Sequence, residues 1–266
     1  MKMKNKEVVN IIKIGGKTID NEEALARFIT SFSKIPGQKI LVHGGGILAN
    51  QIGEKMGISP HFHEGRRITD EETLNLITMV YGGLINKKIV AKLQALKVNA
   101  IGLSGADANL LKAEKRAVKT IDYGFAGDIQ KVNKDFLESL LTQKLTPVIC
   151  PITHNGKGQL LNTNGDTIAM EIACALQTQF EVNLWLCFDK KGVLLDVDDE
   201  KSIIPQLNPK SYAELLSKSL IYDGMKPKLE NAFQALKSGV SKIRIGSADD
   251  IDKAIADQKT GTFICA

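Results

Sequence analysis

Residues 8–16 read Val8-Val9-Asn10-Ile11-Ile12-Lys13-Ile14-Gly15-Gly16, a β-branched run that stops on two glycines. Such a run is a strand signal. Asp20 with Glu23 three residues on has the spacing of a capping box and predicts a helix start. Leu25, Phe28, Ile29 and Phe32 then fall at i, i+3, i+4 and i+7, one face of a helix. The pattern repeats at once. Residues 39–43 form a second short apolar run, it ends in Gly44-Gly45-Gly46, and a helix is predicted over 47–56. A strand feeding a helix through glycines, twice in succession, is the mark of an α/β fold.

Working outward, the alternation continues. Thr69 with Glu72 predicts another helix start, and that helix runs through Leu74, Ile77 and Met79, loosens at Gly82-Gly83 and resumes through Ile89 and Leu93. A strand is predicted at 100–103, a hairpin excursion over 112–132, a helix at 134–144 and a strand at 147–152. Asn155-Gly156 marks a tight turn. A helix at 167–176, a strand at 182–188, helices at 209–217 and 228–238 and a strand at 242–245 complete the series. No linker-like segment, repeat or low-complexity tract divides the chain. The expectation is one domain over residues 1–266, with one open, mainly parallel sheet and helices on both faces.

Composition bounds the function. Hydrophobic residues are 43% and charged residues 24% of 266, ordinary values for a globular protein with a sizeable core. The net charge of +5 is scattered, and aromatics are only 5%, which argues against a nucleic-acid partner. No apolar stretch is long enough for a signal sequence or a membrane span, so no membrane partner and a cytoplasmic location are expected. Cys150, Cys174, Cys187 and Cys265 form no C-x-x-C pair, and His61 and His63 lack ligand-spaced partners; no metal site is expected from side chains.

Glycines between a strand and a helix present backbone N–H groups and a positive helix terminus to an anion. Gly16-Lys17-Thr18 resembles the end of a P-loop, but Ile11 stands where that motif needs its first glycine. Gly44-x-Gly46-x-x-Ala49 satisfies a dinucleotide fingerprint, whose acidic partner would have to be Glu64; a nicotinamide-dependent oxidoreductase is therefore the alternative reading. Asn162 and Asn164 alternate ahead of Asp166, and Asp166 or Thr167 is expected to cap the following helix. Lys228 opens a helix against the macrodipole, unfavourable unless an anion arrives. Lys13 stands in an apolar strand directly before a glycine loop, where it could meet the same anion.

At these residues the sequence resembles the amino-acid kinase family, over nearly the whole chain. The resemblance rests on Lys13-Ile14-Gly15-Gly16, His43-Gly44-Gly45-Gly46, Gly65-Arg66-Arg67-Ile68-Thr69, the run from Asn162 to Asp166, and Asp223-Gly224-Met225-Lys226-Pro227-Lys228. The last three resemble the branch acting on acylated glutamate. The resemblance implies a three-layer αβα sandwich, with residues 1–178 holding the acylglutamate and the dimer contact and 179–266 holding ATP with Mg²⁺. It implies phosphorylation of the side-chain carboxylate of N-acetyl-L-glutamate, in arginine biosynthesis. Lys13 and Lys228 would stabilise the moving phosphoryl group and Asp166 would orient both. Gly44, Gly45, Gly46, Arg67, Asn162 and Asn164 would bind the acylglutamate, and Gly15, Gly16, Asp189 and Gly192 the nucleotide.

Three departures stand out. Arg66 replaces a commonly apolar residue, Lys190 follows Asp189 where valine is usual, and the stretch 177–181 is slightly longer than expected. Arg66 either points to solvent or receives a further carboxylate, as in N-succinyl-L-glutamate. The first strand starts near Val8, which leaves no room for the N-terminal helix of the family's arginine-inhibited hexamers. A homodimer insensitive to arginine is expected.

Overall fold

The opening run becomes β1 (Val8–Ile14), and it lies in the middle of an eight-stranded sheet. The computed structural model describes residues 6–218, 220–221, 225–256 and 258–265. After β1 come α1 (Gly16–Asp20), α2 (Glu22–Ser33), β2 (Gln38–His43) and α3 (Gly46–Lys55). A short hairpin, β3 (His61–His63) and β4 (Arg66–Ile68), precedes α4 (Glu71–Ile77), a π-helical segment (Thr78–Ile85) and α5 (Asn86–Ala95). Then follow β5 (Ala100–Leu103), β6 (Leu111–Lys115), β7 (Gly127–Val132), α6 (Lys134–Thr142), β8 (Thr146–Ile149), β9 (Ile152–His154) and β10 (Leu160–Asn162). The last stretch holds α7 (Gly165–Leu176), β11 (Glu181–Phe188), β12 (Gln206–Leu207), α8 (Pro209–Ser217), α9 (Lys226–Lys237), β13 (Lys242–Ser247), α10 (Ile251–Ile255) and β14 (Thr262–Ile264).

The main sheet runs β12-β14-β13-β11-β1-β2-β8-β5. It is parallel throughout except where β14 runs antiparallel to β13. A smaller sheet, β10-β9-β6-β7, and the β3–β4 hairpin stand beside it. Because strand side chains alternate, β1 divides the core in two. Val9 and Ile11 pack with Ile168, Ile172, Leu229 and Ala232 from α7 and α9. Ile12 and Ile14 pack with Phe28, Phe32, Ile77 and Ile89 on the opposite face. Lys13 shares the parity of Val9 and Ile11, so it leaves the sheet on the α7 side. That alternation sets the site.

The alternating elements expected from the sequence are present, with local corrections. Asn21, not Asp20, caps α2, its Oδ1 accepting from Ala24 N at 2.9 Å. Asp70, not Thr69, caps α4, accepting from Thr73 N at 2.8 Å. In both places a carboxylate or amide one residue along reaches the free N–H groups, and the box spacing alone does not fix that register. The segment around His61 to Gly65 pairs as β3–β4 through a turn in which Glu64 and Gly65 take positive φ. β12, β14 and α10 are two to five residues long, too short to show a period.

At the end of β2, His43 is fully buried and neutral. Its Nδ1–H donates to Gly44 O at 2.8 Å, and its Nε2 accepts from Asn86 Nδ2 at 3.1 Å. Asn86 Nδ2 also donates to Val148 O at 2.9 Å, tying α5 to β8 and to the start of the Gly44 loop. Burial pushes the His43 pKa down to about 4, partly opposed by the bond to Gly44. An unfolded histidine near 6.5 takes a proton that the folded one refuses. His43 therefore contributes stability above about pH 6.5 that is lost as pH falls toward 4. Urea unfolding at pH 7 and pH 5 should show a loss of about 2 kcal/mol assignable to this residue. In His43→Gln the difference between the two pH values should shrink by that amount.

Candidate active site

The two glycine loops lie side by side because β1 and β2 are parallel neighbours in register, with Ile14 opposite His43. Gly44 N donates to Ile14 O at 3.0 Å and binds the loops together. Between them, at the end of β1, Lys13 Nζ reaches Asp166 Oδ1 at 2.8 Å. Lys228 Nζ, from the first turn of α9, donates to Asp166 Oδ2. All three side chains are only 11–12% exposed. One carboxylate thus serves two ammoniums, and the cluster carries a net charge of +1.

The energetics follow from that count. Burial works to raise the Asp166 pKa, but Lys13 and Lys228 together outweigh it and hold the carboxyl well below the usual range. For Lys228, burial lowers the pKa, Asp166 opposes that, and the like charge of Lys13 adds to the lowering. The direction to expect is a fixed carboxylate beneath two cations, one of them under pressure to lose its proton unless an anion arrives. Asp166 sits in the first turn of α7, where the helix dipole also favours a negative charge. The cap of α7 is Asn164, whose Oδ1 accepts from Asp166 N at 2.7 Å and Thr167 N at 3.4 Å. That corrects the expected cap at Asp166 or Thr167 and frees the Asp166 carboxylate for the lysines.

The loops are shaped by close approach. Gly45 takes φ +150°, and a Cβ there would fall 3.2 Å from the Tyr81 ring. A Cβ on Gly165 would crowd Lys13 Cε at 3.3 Å. Lys13, Gly15, Gly16, Gly44, Gly45, Gly46, Arg67, Asn162 and Asn164, all expected site residues, line one cavity of about 240 Å³. Arg67 Nη2 donates to Gly46 O at 3.2 Å and Asn50 Oδ1 at 2.5 Å, and its guanidinium lies 4.7 Å from the Phe62 ring centre. Asn162 Nδ2 donates to Thr69 Oγ1 at 3.0 Å, joining β10 to the end of the arginine hairpin.

Two expected residues lie elsewhere. Asp189 directly follows β11, paired with Lys17 at 2.7 Å and 44% exposed. Gly192 is away from the cavity: a Cβ there would meet Ile203 and Thr262 at 2.8 and 2.9 Å, so packing explains this glycine. Asp223 and Gly224 lie outside the described residues. Sequence reasoning missed Phe62, Tyr81 and Arg116, which line the same cavity. Arg116 is held by Asp128 through Nε at 3.1 Å and Nη2 at 2.6 Å, a pairing invisible without the β6–β7 register. The signal for Tyr81 was its place directly before Gly82-Gly83. Arg66 is exposed at the cavity mouth.

The oxidoreductase reading does not survive. Glu64, its required acid, stands exposed at the tip of the β3–β4 turn with φ +48°, not at the end of a strand of the main sheet. The Gly44 loop faces a lysine–aspartate–lysine cluster instead.

Comparison with known proteins agrees. The model of the amino acid kinase family matches residues 9–247. The acetylglutamate kinase of Phocaeicola vulgatus is 52% identical over 248 residues, 93% of this chain and 96% of that protein. That of Cytophaga hutchinsonii is 52% identical over 258 residues, covering 96% and 98%. Among solved structures, a Streptococcus mutans protein superposes with a TM-score of 0.79 at 26% identity over 97% of this chain and 98% of that one. The carbamate kinase of Giardia lamblia, at 14% identity with a TM-score of 0.68 over 98% of each, shares the fold.

Asp166→Asn leaves two buried ammoniums without a counter-ion. Breaking such a cluster costs about 3–5 kcal/mol. Chemical denaturation should show a loss of that order, and added inorganic phosphate should recover part of it by supplying the missing negative charge.

Proposed function

The chain belongs to the amino acid kinase family, and from that membership we propose that it transfers the γ-phosphoryl group of ATP to the side-chain carboxylate of N-acetyl-L-glutamate. The products are N-acetyl-L-glutamyl 5-phosphate and ADP, a step of arginine biosynthesis. The acetyl compound is preferred over the succinyl one because the relatives at about half identity bear the acetyl name. The observation that carries the reading is the Asp166 carboxylate shared by Lys13 and Lys228, with Lys13 lining the cavity beside the two glycine loops.

A glutamate side chain ionises near pH ~4.3, so the nucleophile is already an anion and no general base is needed. A carboxylate oxygen forms the new bond to the γ-phosphorus while the bond to the β-phosphate bridging oxygen breaks, and ADP carries that electron pair away. The obstacle is repulsion between two anions. Lys13 and Lys228 reduce it from the direction of Asp166, which fixes where their charges sit. Backbone N–H groups at the Gly15 and Gly44 loops supply preorganised donors. Arg67 and Asn162 hold the remainder of the acylglutamate, with Gly44, Gly45 and Gly46 at its reacting end and Asn164 fixing the helix that carries Asp166. Gly15 and Gly16 face the phosphates, and Asp189, beside Lys17, lies on the nucleotide side. Gly192 shapes the turn after β11 and makes no direct contact in this reading.

The ionised carboxylate of the site is already shared by two cations, so Mg²⁺ would be held chiefly by phosphate oxygens, as it commonly is. Its chemistry there is charge neutralisation. Residues 1–178 make up the acylglutamate and dimerisation lobe and 179–266 the ATP lobe. A cytoplasmic homodimer insensitive to arginine completes the proposal. No helix among the described residues is long and apolar enough to cross a membrane.

Coupled ADP release with MgATP and N-acetyl-L-glutamate tests the function. Wild type should turn over, and Lys228→Ala should lower kcat by about 10²–10³-fold, the usual effect of removing one preorganised charge-stabilising donor. Turnover that survives in the variant would remove Lys228 from the mechanism, and wild-type inactivity would overturn the activity itself.

A further inference from the structure

Tyr81 occupies the π-helical segment, where the wider turn displaces side chains from α-helical positions. It is 5% exposed, with its ring beside Gly45, where a Cβ would collide with Ile85 Cδ1 and crowd the Tyr81 ring at 3.2 Å. Its hydroxyl lies 4.0 Å from the Cβ position of Gly46, and Arg67 Nη2 lies 3.6 Å from that same point. Hydroxyl and guanidinium thus flank one spot on the cavity wall, and both residues line the cavity. Burial pushes the Tyr81 pKa up, against the pull of Arg67, so at neutral pH the hydroxyl keeps its proton. An arginine can only donate; the hydroxyl hydrogen must go to some other group. The nearby Asp20 carboxylate does not take it, since no hydrogen bond joins Tyr81 to either of its oxygens.

The donor inventory of Arg67 shows what is missing. A guanidinium grips a carboxylate with two parallel bonds, through Nη1 with Nη2 or through Nε with Nη2. Both forks use Nη2, and here its two hydrogens are committed to Gly46 O and Asn50 Oδ1. Arg67 is left with single donors, and a second donor for the carboxylate has to come from elsewhere. We infer that Tyr81 provides it: its hydroxyl donates to the substrate carboxylate that Arg67 holds, making Tyr81 a substrate-binding residue that selects for a carboxylate, rather than a neutral group, on the non-reacting end. The inference rests on the acylglutamate kinase reading and extends it to a residue in the π-helical segment.

Tyr81→Phe keeps the ring that fills the space over Gly45 and removes only the hydroxyl, so its thermal melt should match wild type. Calorimetric titration without nucleotide should show N-acetyl-L-glutamate binding weakened at least tenfold, as expected for a hydrogen bond to a charged group. In turnover, KM for the acylglutamate should rise by a similar factor while kcat and KM for ATP hold. The decisive arm uses the analogue in which the α-carboxylate is a carboxamide and the reacting side-chain carboxylate is kept. The hydroxyl loses its charged acceptor there, so the penalty of the substitution should shrink to a few-fold. An equal penalty on acid and amide, or none on the acid, overturns the inference while leaving the kinase standing. Wild type that turns over no acylglutamate overturns both.

Discussion

One carboxylate held between two ammoniums organises this protein. Asp166 belongs to the first turn of α7, Lys13 to the end of β1, and Lys228 to the first turn of α9. Each element is placed by the core beneath it: the β1 residues of Lys13's parity pack on α7 and α9, so the same side-chain alternation that buries Val9 and Ile11 delivers the lysine. The cluster is unsatisfied by design. Two cations on one anion leave a positive charge at 11–12% exposure, which costs stability in the empty protein and is relieved when an anion binds.

The glycine loops need equally firm support, because their N–H groups act only if they are already aimed. The support is polar and buried. His43 fixes Gly44 through its carbonyl, Asn86 fixes His43, and Asn86 in turn holds the β8 backbone. Any proton added to His43 would end its role as acceptor for Asn86 and break this chain of bonds at its centre. Burial keeps that proton off across the physiological range. Asn164 does the same for α7: by capping the helix it spares Asp166 that duty.

How much of this the sequence carried depends on the range of each signal. The strand–glycine–helix repeats are local and continuous, and they gave the parallel sheet, the loops and Lys13 directly. Asp166 stood out because its neighbours alternate in a way no simple loop requires. The caps came out one residue wrong at Asp20 and Thr69, since several adjacent side chains can reach the same free N–H groups and only the backbone angles choose between them. Gly192 was expected at the nucleotide from resemblance alone, and in the structure its missing side chain makes room for Ile203 and Thr262. Arg116 depends on a pairing across strands that has no one-dimensional signature, and Tyr81 on a helix that widens at Gly82-Gly83, where the glycines mark the place but not which side chain turns inward. The meeting of Lys228 with Asp166, 62 residues apart, came from resemblance and not from pattern.

The division of labour within the cavity has a physical logic. The lysines proposed to bear charge toward the phosphoryl group sit on the sheet and on a helix packed against it, where a shift of position would have to move the core. The groups proposed to recognise the rest of the substrate sit on less regular ground: Arg67 on a three-residue strand of an exposed hairpin, Asn162 on the edge of the small sheet, Tyr81 on a π-helical segment. Electrostatic stabilisation of a transition state tolerates little misplacement, so it belongs on rigid elements. Recognition must admit and release a ligand, which a two-stranded hairpin tied down by a few hydrogen bonds can do. A family built this way can change its substrate by altering the hairpin and the helix opposite it while leaving the lysine–aspartate–lysine cluster untouched.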